Sequence, residues 1–216
     1  MPAVAAALAA VWFVTAFALR IGIQVARHRD TGVRLHRESP RSWAWWARVG
    51  FVVATLTVAG APVAAAFEAP GLDLVGVLDR PALAVAGLVV AVVGMALTFW
   101  AQLAMGASWR IGVDPGERTD LVTGGPFTVV RNPIFTTMAV TAAGLTLMAP
   151  TGVGLAGFLA LIASLEVQVR LVEEPHLHHL HGPTYATYTK QVPRFLPRWG
   201  QPRRRPPSRT RRWPVT

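Results

Sequence analysis

The sequence predicts an all-α integral membrane bundle of about five transmembrane helices, and three observations carry that prediction. Of the 216 residues, 52% are hydrophobic and 15% charged, with a mean hydropathy of +0.40, so polar groups are too few to coat a soluble globule of this size. Four stretches, Ala3 to Leu19, Val49 to Phe67, Pro81 to Trp109 and Asn132 to Leu165, contain no charge, and a spanning helix needs about 20 mostly apolar residues. The charges that remain are lopsided: 21 Lys+Arg against 11 Asp+Glu give +10, and 20 of the 21 cations are arginine. The chain has no cysteine, which excludes a disulfide scaffold, a thiolate metal site and a cysteine nucleophile.

The first helix is expected near 3–25. Met1 to Ala10 lacks the cations of a secretory n-region, whereas Arg20, Arg27 and Arg29 follow the apolar run, so a retained helix with its N-terminus outside is expected. The second helix falls near 46–67, preceded by Trp43, Trp45 and Trp46 at the depth where amphipathic rings favour the headgroups. The third falls near 82–105. The last run is too long for one crossing at ~1.5 Å per residue, and Ala149-Pro150-Thr151-Gly152 interrupts it. It therefore reads as a tight hairpin of helices 133–149 and 151–172.

Orientation follows from arginine. Val25 to Arg48 carries six Arg against Asp30 and Glu38, while Glu68 to Arg80 carries three acids and Arg80 alone, which places the first loop in the cytoplasm of a bacterial inner (plasma) membrane and the second outside. Five crossings return the C-terminus to the cytoplasm, where the chain from Arg194 onward holds eight Arg and no acid. Residues 1–200 read as one domain. The Arg- and Pro-rich stretch 201–216 reads as a disordered tail that binds anionic lipid headgroups; no basic fold with interleaved aromatics accompanies it, so no specific nucleic-acid partner is expected.

Two polar segments interrupt the apolar pattern, and chemistry is expected between them in a cytoplasmic pocket. In Met105 to Phe135, Gly124-Gly125-Pro126 permits a sharp turn, and Asn132-Pro133 opens the fourth span with Asn132 as a candidate N-cap. Such a helix start suits an anionic ligand group, or is simply a capped start. In the second segment Glu166, Arg170, Glu173 and Leu177 fall at i, i+4, i+7 and i+11, with Glu174 at i+8, along one helix face. Charges at the hydrocarbon edge face a cavity or one another; a self-satisfied Glu166–Arg170 pair is the simpler alternative. His176, His178, His179 and His181 form i,i+3 pairs without a carboxylate third ligand at a suitable spacing, so solvated interfacial histidines are expected rather than a metal site. Gly182-Pro183 should break or kink the helix before Tyr185 and Tyr188, the only tyrosines.

These segments resemble the isoprenylcysteine carboxyl methyltransferase family of membrane-embedded methyltransferases. The first signature stands here as Leu121-Val122-Thr123-Gly124-Gly125-Pro126-Phe127 through Arg131-Asn132-Pro133-Ile134-Phe135. The second stands as Arg170, Glu173, Glu174, Leu177, Gly182, Tyr185 and Tyr188, followed by Val192-Pro193-Arg194-Phe195-Leu196-Pro197. The matched span runs from about Met105 to Pro197. Asn132 replaces the more usual histidine, and Phe127 and Phe135 replace aromatic residues that are commonly tyrosine.

The resemblance implies S-adenosylmethionine as cofactor and a small lipophilic or lipid-linked acceptor reaching the site from the bilayer. It implies that Leu121, Val122, Gly125, Pro126, Phe127, Arg131, Asn132, Pro133 and Phe135 contact the adenine and the methionine carboxylate, and that Glu173 and Glu174 hold the ammonium or the ribose hydroxyls. A carboxylate acceptor needs no base, and Arg170 would orient it; an amine or phenol would need Glu174 or Glu166 as base. The alternatives are a nicotinamide-dependent membrane reductase of the sterol-reductase type and a non-catalytic membrane scaffold.

Overall fold

The computed structural model of the chain describes residues 1–34, 42–112, 114 and 116–197; the expected tail, 201–216, lies outside the described residues. α1 (Pro2–Phe13) and α2 (Arg20–His28) form one rod through a π-helical turn, Val14–Leu19. α3 (Trp43–Ala66), α4 (Pro81–Ala104), α5 (Pro133–Met148) and α6 (Gly152–Gln168) follow. A second π turn, Val169–Glu173, carries α6 into α7 (Glu174–Gln191). Four rods, Pro2–His28, Trp43–Ala66, Pro81–Ala104 and Gly152–Gln191, are long and apolar enough to cross a membrane, and Pro133–Met148 is a shorter apolar helix. The expected five-helix bundle is the observed one.

The largest boundary difference is at the last span, expected to end near 172. The helix runs on past that point because the wider π turn accommodates Pro175, whose ring would otherwise press on the carbonyl four residues earlier. The expected break at Gly182-Pro183 is present: Gly182 has φ 48° and ψ −123° inside α7.

At 16 residues α5 is only about 24 Å long at ~1.5 Å per residue. It crosses by being enclosed in protein rather than lipid, with Met138, Thr141, Ala142, Gly144, Leu145 and Met148 buried. α4 packs on it at backbone contact. A Cβ added to Gly144 would lie 2.4 Å from the Ala91 nitrogen and 2.6 Å from the Gly87 carbonyl oxygen. Lipid tails remove the hydrophobic drive between helices, so close approach of small residues supplies the packing, and the 2.9 Å Thr98–Thr137 hydroxyl bond adds a polar link. α3 and α6 form a second such pair, where a Cβ on Gly157 would meet Thr57 Cγ2 at 2.7 Å. α1 packs on α3.

The five crossings sort the loops to two ends. At one, the Val75 amide donates to the Pro150 carbonyl at 2.7 Å, and Thr151 caps α6 by accepting from the Gly154 amide at 3.0 Å. This is the expected hairpin turn, clipped to the 67–80 loop. The other end gathers residues 29–34, 105–112, 114, 116–131 and 169–197, which include the described parts of both chemistry-bearing segments. Trp43 and Trp46 stand exposed there at the start of α3.

Candidate functional site

The two signatures are bonded to each other. The first closes on a 3₁₀ turn, Gly125–Thr128, opened by Gly124, with Gly125 at φ 59° and Pro126 and Phe127 buried. The chain then extends along Val192–Phe195: the Arg131 amide donates to the Pro193 carbonyl at 2.8 Å, and the Asn132 amide to the Arg194 carbonyl at 3.1 Å. The Tyr188 hydroxyl donates to the Phe127 carbonyl at 2.6 Å, locking α7 to the 3₁₀ turn. Tyr185, Tyr188 and Val192 form a buried cluster flanked by Leu121 and Leu177, so residues from both signatures share one apolar wall.

Charge reinforces this docking. Arg131 Nη2 donates to Glu174 Oε1 at 2.6 Å, while Arg194 donates through Nε to Oε1 at 2.8 Å and through Nη2 to Oε2 at 2.6 Å. Arg131 Nη1 also donates to the Val192 carbonyl at 2.7 Å and the Thr189 carbonyl at 3.2 Å. The Glu174 carboxylate holds the Arg194 guanidinium above its ordinary value. Both oxygens of Glu174 are thus committed to guanidinium groups, an arrangement at odds with the role of base that an amine or phenol acceptor would ask of it. Its partners lie 43 and 20 residues away in sequence, beyond the reach of helical spacing.

The other acids are placed differently. Glu173 lies half-buried on the π turn, with one bond from Gln168 Nε2 at 3.3 Å. Arg170 and Glu166 are paired, with side chains 55% and 38% exposed, the self-satisfied arrangement weighed as the simpler alternative. Asn132 occupies the N-cap position of α5 without a side-chain cap bond; its Nδ2 turns away and donates to the Arg194 carbonyl at 3.3 Å. That corrects the capping expectation, because the returning 192–195 segment offers the side chain a carbonyl instead. Pro133 is buried at the first helical position, and Phe135 packs against Phe51 with ring centroids 6.3 Å apart. Among the histidines, His178 meets the Tyr185 ring edge-on at 4.7 Å. Among the described residues no three His, Asp or Glu gather as a metal-ligand set.

A second charged cluster ties down the loop leading into the first signature. Arg34 donates to Asp30 Oδ2 at 2.6 Å and to Glu117 Oε2 at 2.7 Å, and Arg110 donates to Glu117 Oε1 at 2.6 Å. The Arg34 guanidinium, then that of Arg110, draws Glu117 down to about 2, and Arg34 also holds Asp30 well below the ordinary carboxylate range.

An all-helical bundle of apolar helices long enough to span a membrane defines the class: an integral membrane protein, with its two polar segments gathered at one end of the bundle. Residues 83–184, just under half of the chain, match the family model for phospholipid methyltransferases, the group of integral membrane methyltransferases toward which the resemblance to the isoprenylcysteine carboxyl methyltransferases pointed. Over 82 residues the chain is 33% identical to the nickel-cobalt-cadmium resistance protein NccN of Alcaligenes xylosoxydans xylosoxydans, a match covering 38% of this chain and 38% of that protein's length.

Proposed function

We propose that the chain transfers a methyl group from S-adenosylmethionine to a small lipophilic or lipid-linked acceptor, a carboxylate by preference, at the cytoplasmic face of a bacterial plasma membrane. The single observation that carries this reading is the docking of Leu121–Phe135 against Glu173–Phe195 at one end of the bundle. The donor set suits the cofactor's amino-acid moiety. Glu173 is a half-buried carboxylate with one bond of 3.3 Å, matched to an ammonium, and the first turn of α5 is left without a side-chain cap, matched to a carboxylate. Leu121, Val122, Gly125, Pro126 and Phe127 supply apolar walls and close backbone approach for the adenine. Glu174 and Arg131 hold the two halves of the site together and act on the cofactor by placing its contacts.

When bound, the cofactor's sulfonium supplies a methyl carbon that already bears a good leaving group. The chain's contribution is then orientation and exclusion of water. An acceptor carboxylate is ionised at neutral pH, so its oxygen attacks without a base. Arg170, exposed on the π turn and bonded only to Glu166 among the described residues, exchanges that partner for the acceptor. The lipophilic body of the acceptor stays in the bilayer, and the basic stretch 201–216 holds anionic headgroups nearby.

The test is incubation of the purified chain with radiolabelled S-adenosylmethionine and a total lipid extract, beside titration with S-adenosylhomocysteine. Alkali-labile label in a lipid is the expected result. Alkali-stable label would move the acceptor to an amine or hydroxyl; absence of S-adenosylhomocysteine binding would overturn the reading.

A further inference from the structure

Arg20 is a cation within the first rod, 1% exposed, and among the described residues no carboxylate pairs with it. A buried charge is costly unless its donors are satisfied; here the two terminal nitrogens are met by the loop after α4 and by Gln24, while Nε has no hydrogen-bond partner. Arg20 Nη2 donates to the Gly106 carbonyl at 3.0 Å and Nη1 to Gln24 Oε1 at 2.8 Å, while Gln24 Nε2 donates to the Ala107 carbonyl at 3.3 Å. The guanidinium also lies 4.5 Å from the centroid of the Trp109 ring. Gly32 packs on that indole: a Cβ there would fall 2.9 Å from its Cε3. From this held turn, the Ser108 hydroxyl donates to the Asp120 carbonyl at 3.1 Å, the residue immediately before Leu121-Val122. The rod itself is fixed to α4 by Gln102 Nε2, which donates to the Ala16 carbonyl at 2.9 Å within the π turn.

We propose that Arg20 and Gln24 are positioning residues: they clamp the 106–109 turn and, through Ser108, set the place of the Leu121–Phe127 wall of the methyl-donor site. This rests on the methyltransferase reading for the identity of the ligand, but not for the clamp itself. It assigns a role in the site to the first rod, which precedes the family match at residue 83.

The experiment uses the full chain in detergent, comparing wild type with Arg20→Met, Arg20→Lys, Gln24→Met and, at the opposite membrane end, Thr151→Ala. Backbone hydrogen exchange over residues 106–122 should quicken about tenfold in Arg20→Met, the scale of one lost charged hydrogen bond, while residues 67–80 are unchanged. S-adenosylhomocysteine affinity should fall by a similar factor of about ten, and Arg20→Lys should recover part of both effects. Thr151→Ala should lower the melting temperature and move neither readout. If Arg20→Met behaves like Thr151→Ala, or exchange rises uniformly along the chain, the clamp is refuted. Should Arg20→Met fail to fold, Gln24→Met decides by the same two readouts. If wild type binds no S-adenosylhomocysteine, the methyltransferase reading fails and the local exchange alone decides the clamp.

Discussion

Replacing Glu174 by glutamine removes one charge and leaves two guanidinium groups facing a neutral amide. The side chains of Arg131, Glu174 and Arg194 are 9%, 13% and 26% exposed, so the pair with Arg131 is largely desolvated and that with Arg194 partly so. Removing one partner of a buried ion pair costs about 3–5 kcal/mol, and the partial exposure of Arg194 puts the present case at the lower end, ~3–4 kcal/mol. For a chain of this length about 1 kcal/mol moves the melting temperature by ~2–4 °C, so Glu174→Gln should melt roughly 10 °C below wild type in the same detergent. Hydrogen exchange should quicken first in 185–195, where Tyr188 and Arg194 are held. Glu174→Gln combined with Arg194→Gln should cost less than the sum of the two single changes, since the second removes a charge that the first left unmatched. A melting temperature within about 2 °C of wild type, or strict additivity, would show that the triad does not hold the two signatures together.

Gly144→Ala should lower stability by at least ~1–3 kcal/mol as overpacking, because the new methyl meets the backbone of Ala91 and Gly87, whereas Gly152→Ala, with nothing within 4 Å, should leave thermal melting unchanged. Acidification tests the Asp30–Arg34–Glu117–Arg110 cluster. Glu117 is held at about 2, against an ordinary 4.5, so its stabilisation is complete above 4.5 and is lost as pH falls toward 2. Local opening around Arg110, followed by amide hydrogen exchange at each pH and corrected for the intrinsic exchange rate, should therefore grow over that window, and Glu117→Gln should open already at neutral pH. Arg170→Ala removes an exposed i,i+4 pair worth about 0.5 kcal/mol; it should leave the melting temperature nearly unchanged while lowering kcat/KM by roughly a hundredfold, the scale of a lost orienting contact. Equal activity of the variant would remove Arg170 from the acceptor site. Thr151→Ala should cost about 1 kcal/mol through loss of the α6 cap, read as a small melting shift with no change in ligand affinity.

Much of the fold was legible because uncharged runs and arginine bias are strong local signals. The hairpin could be placed at Ala149-Pro150-Thr151-Gly152 because the last uncharged run is too long for one crossing and this interruption falls near its middle. The continuation of the last span past Pro175 was not legible: a proline normally marks a boundary, and nothing local announces the π turn that carries the helix past it. At the site, both signatures and their convergence could be read, but not the occupation of Glu174, since its partners come from distant segments whose docking only the folded chain reveals. Asn132 misled for a related reason: cap preference describes an isolated helix start, whereas here the side chain is turned by the bond from its Nδ2 to the Arg194 carbonyl. Arg20 was read as a topological charge, although Gln24 one turn later in an otherwise apolar stretch was a signal for a buried polar pair.

The two glycine-packed pairs, α4 with α5 and α6 with α3, divide the hairpin between them: its two arms, though joined by a tight turn, each adhere mainly to a different neighbour. Shear is therefore resisted inside each pair by touching backbones and resisted least along the seam where the pairs meet. The two leaves are fastened at both ends, by the Ala149–Thr151 turn at one and by the Arg131–Glu174–Arg194 ion pairs at the other, so cutting the ion pairs is the change that would let them slide.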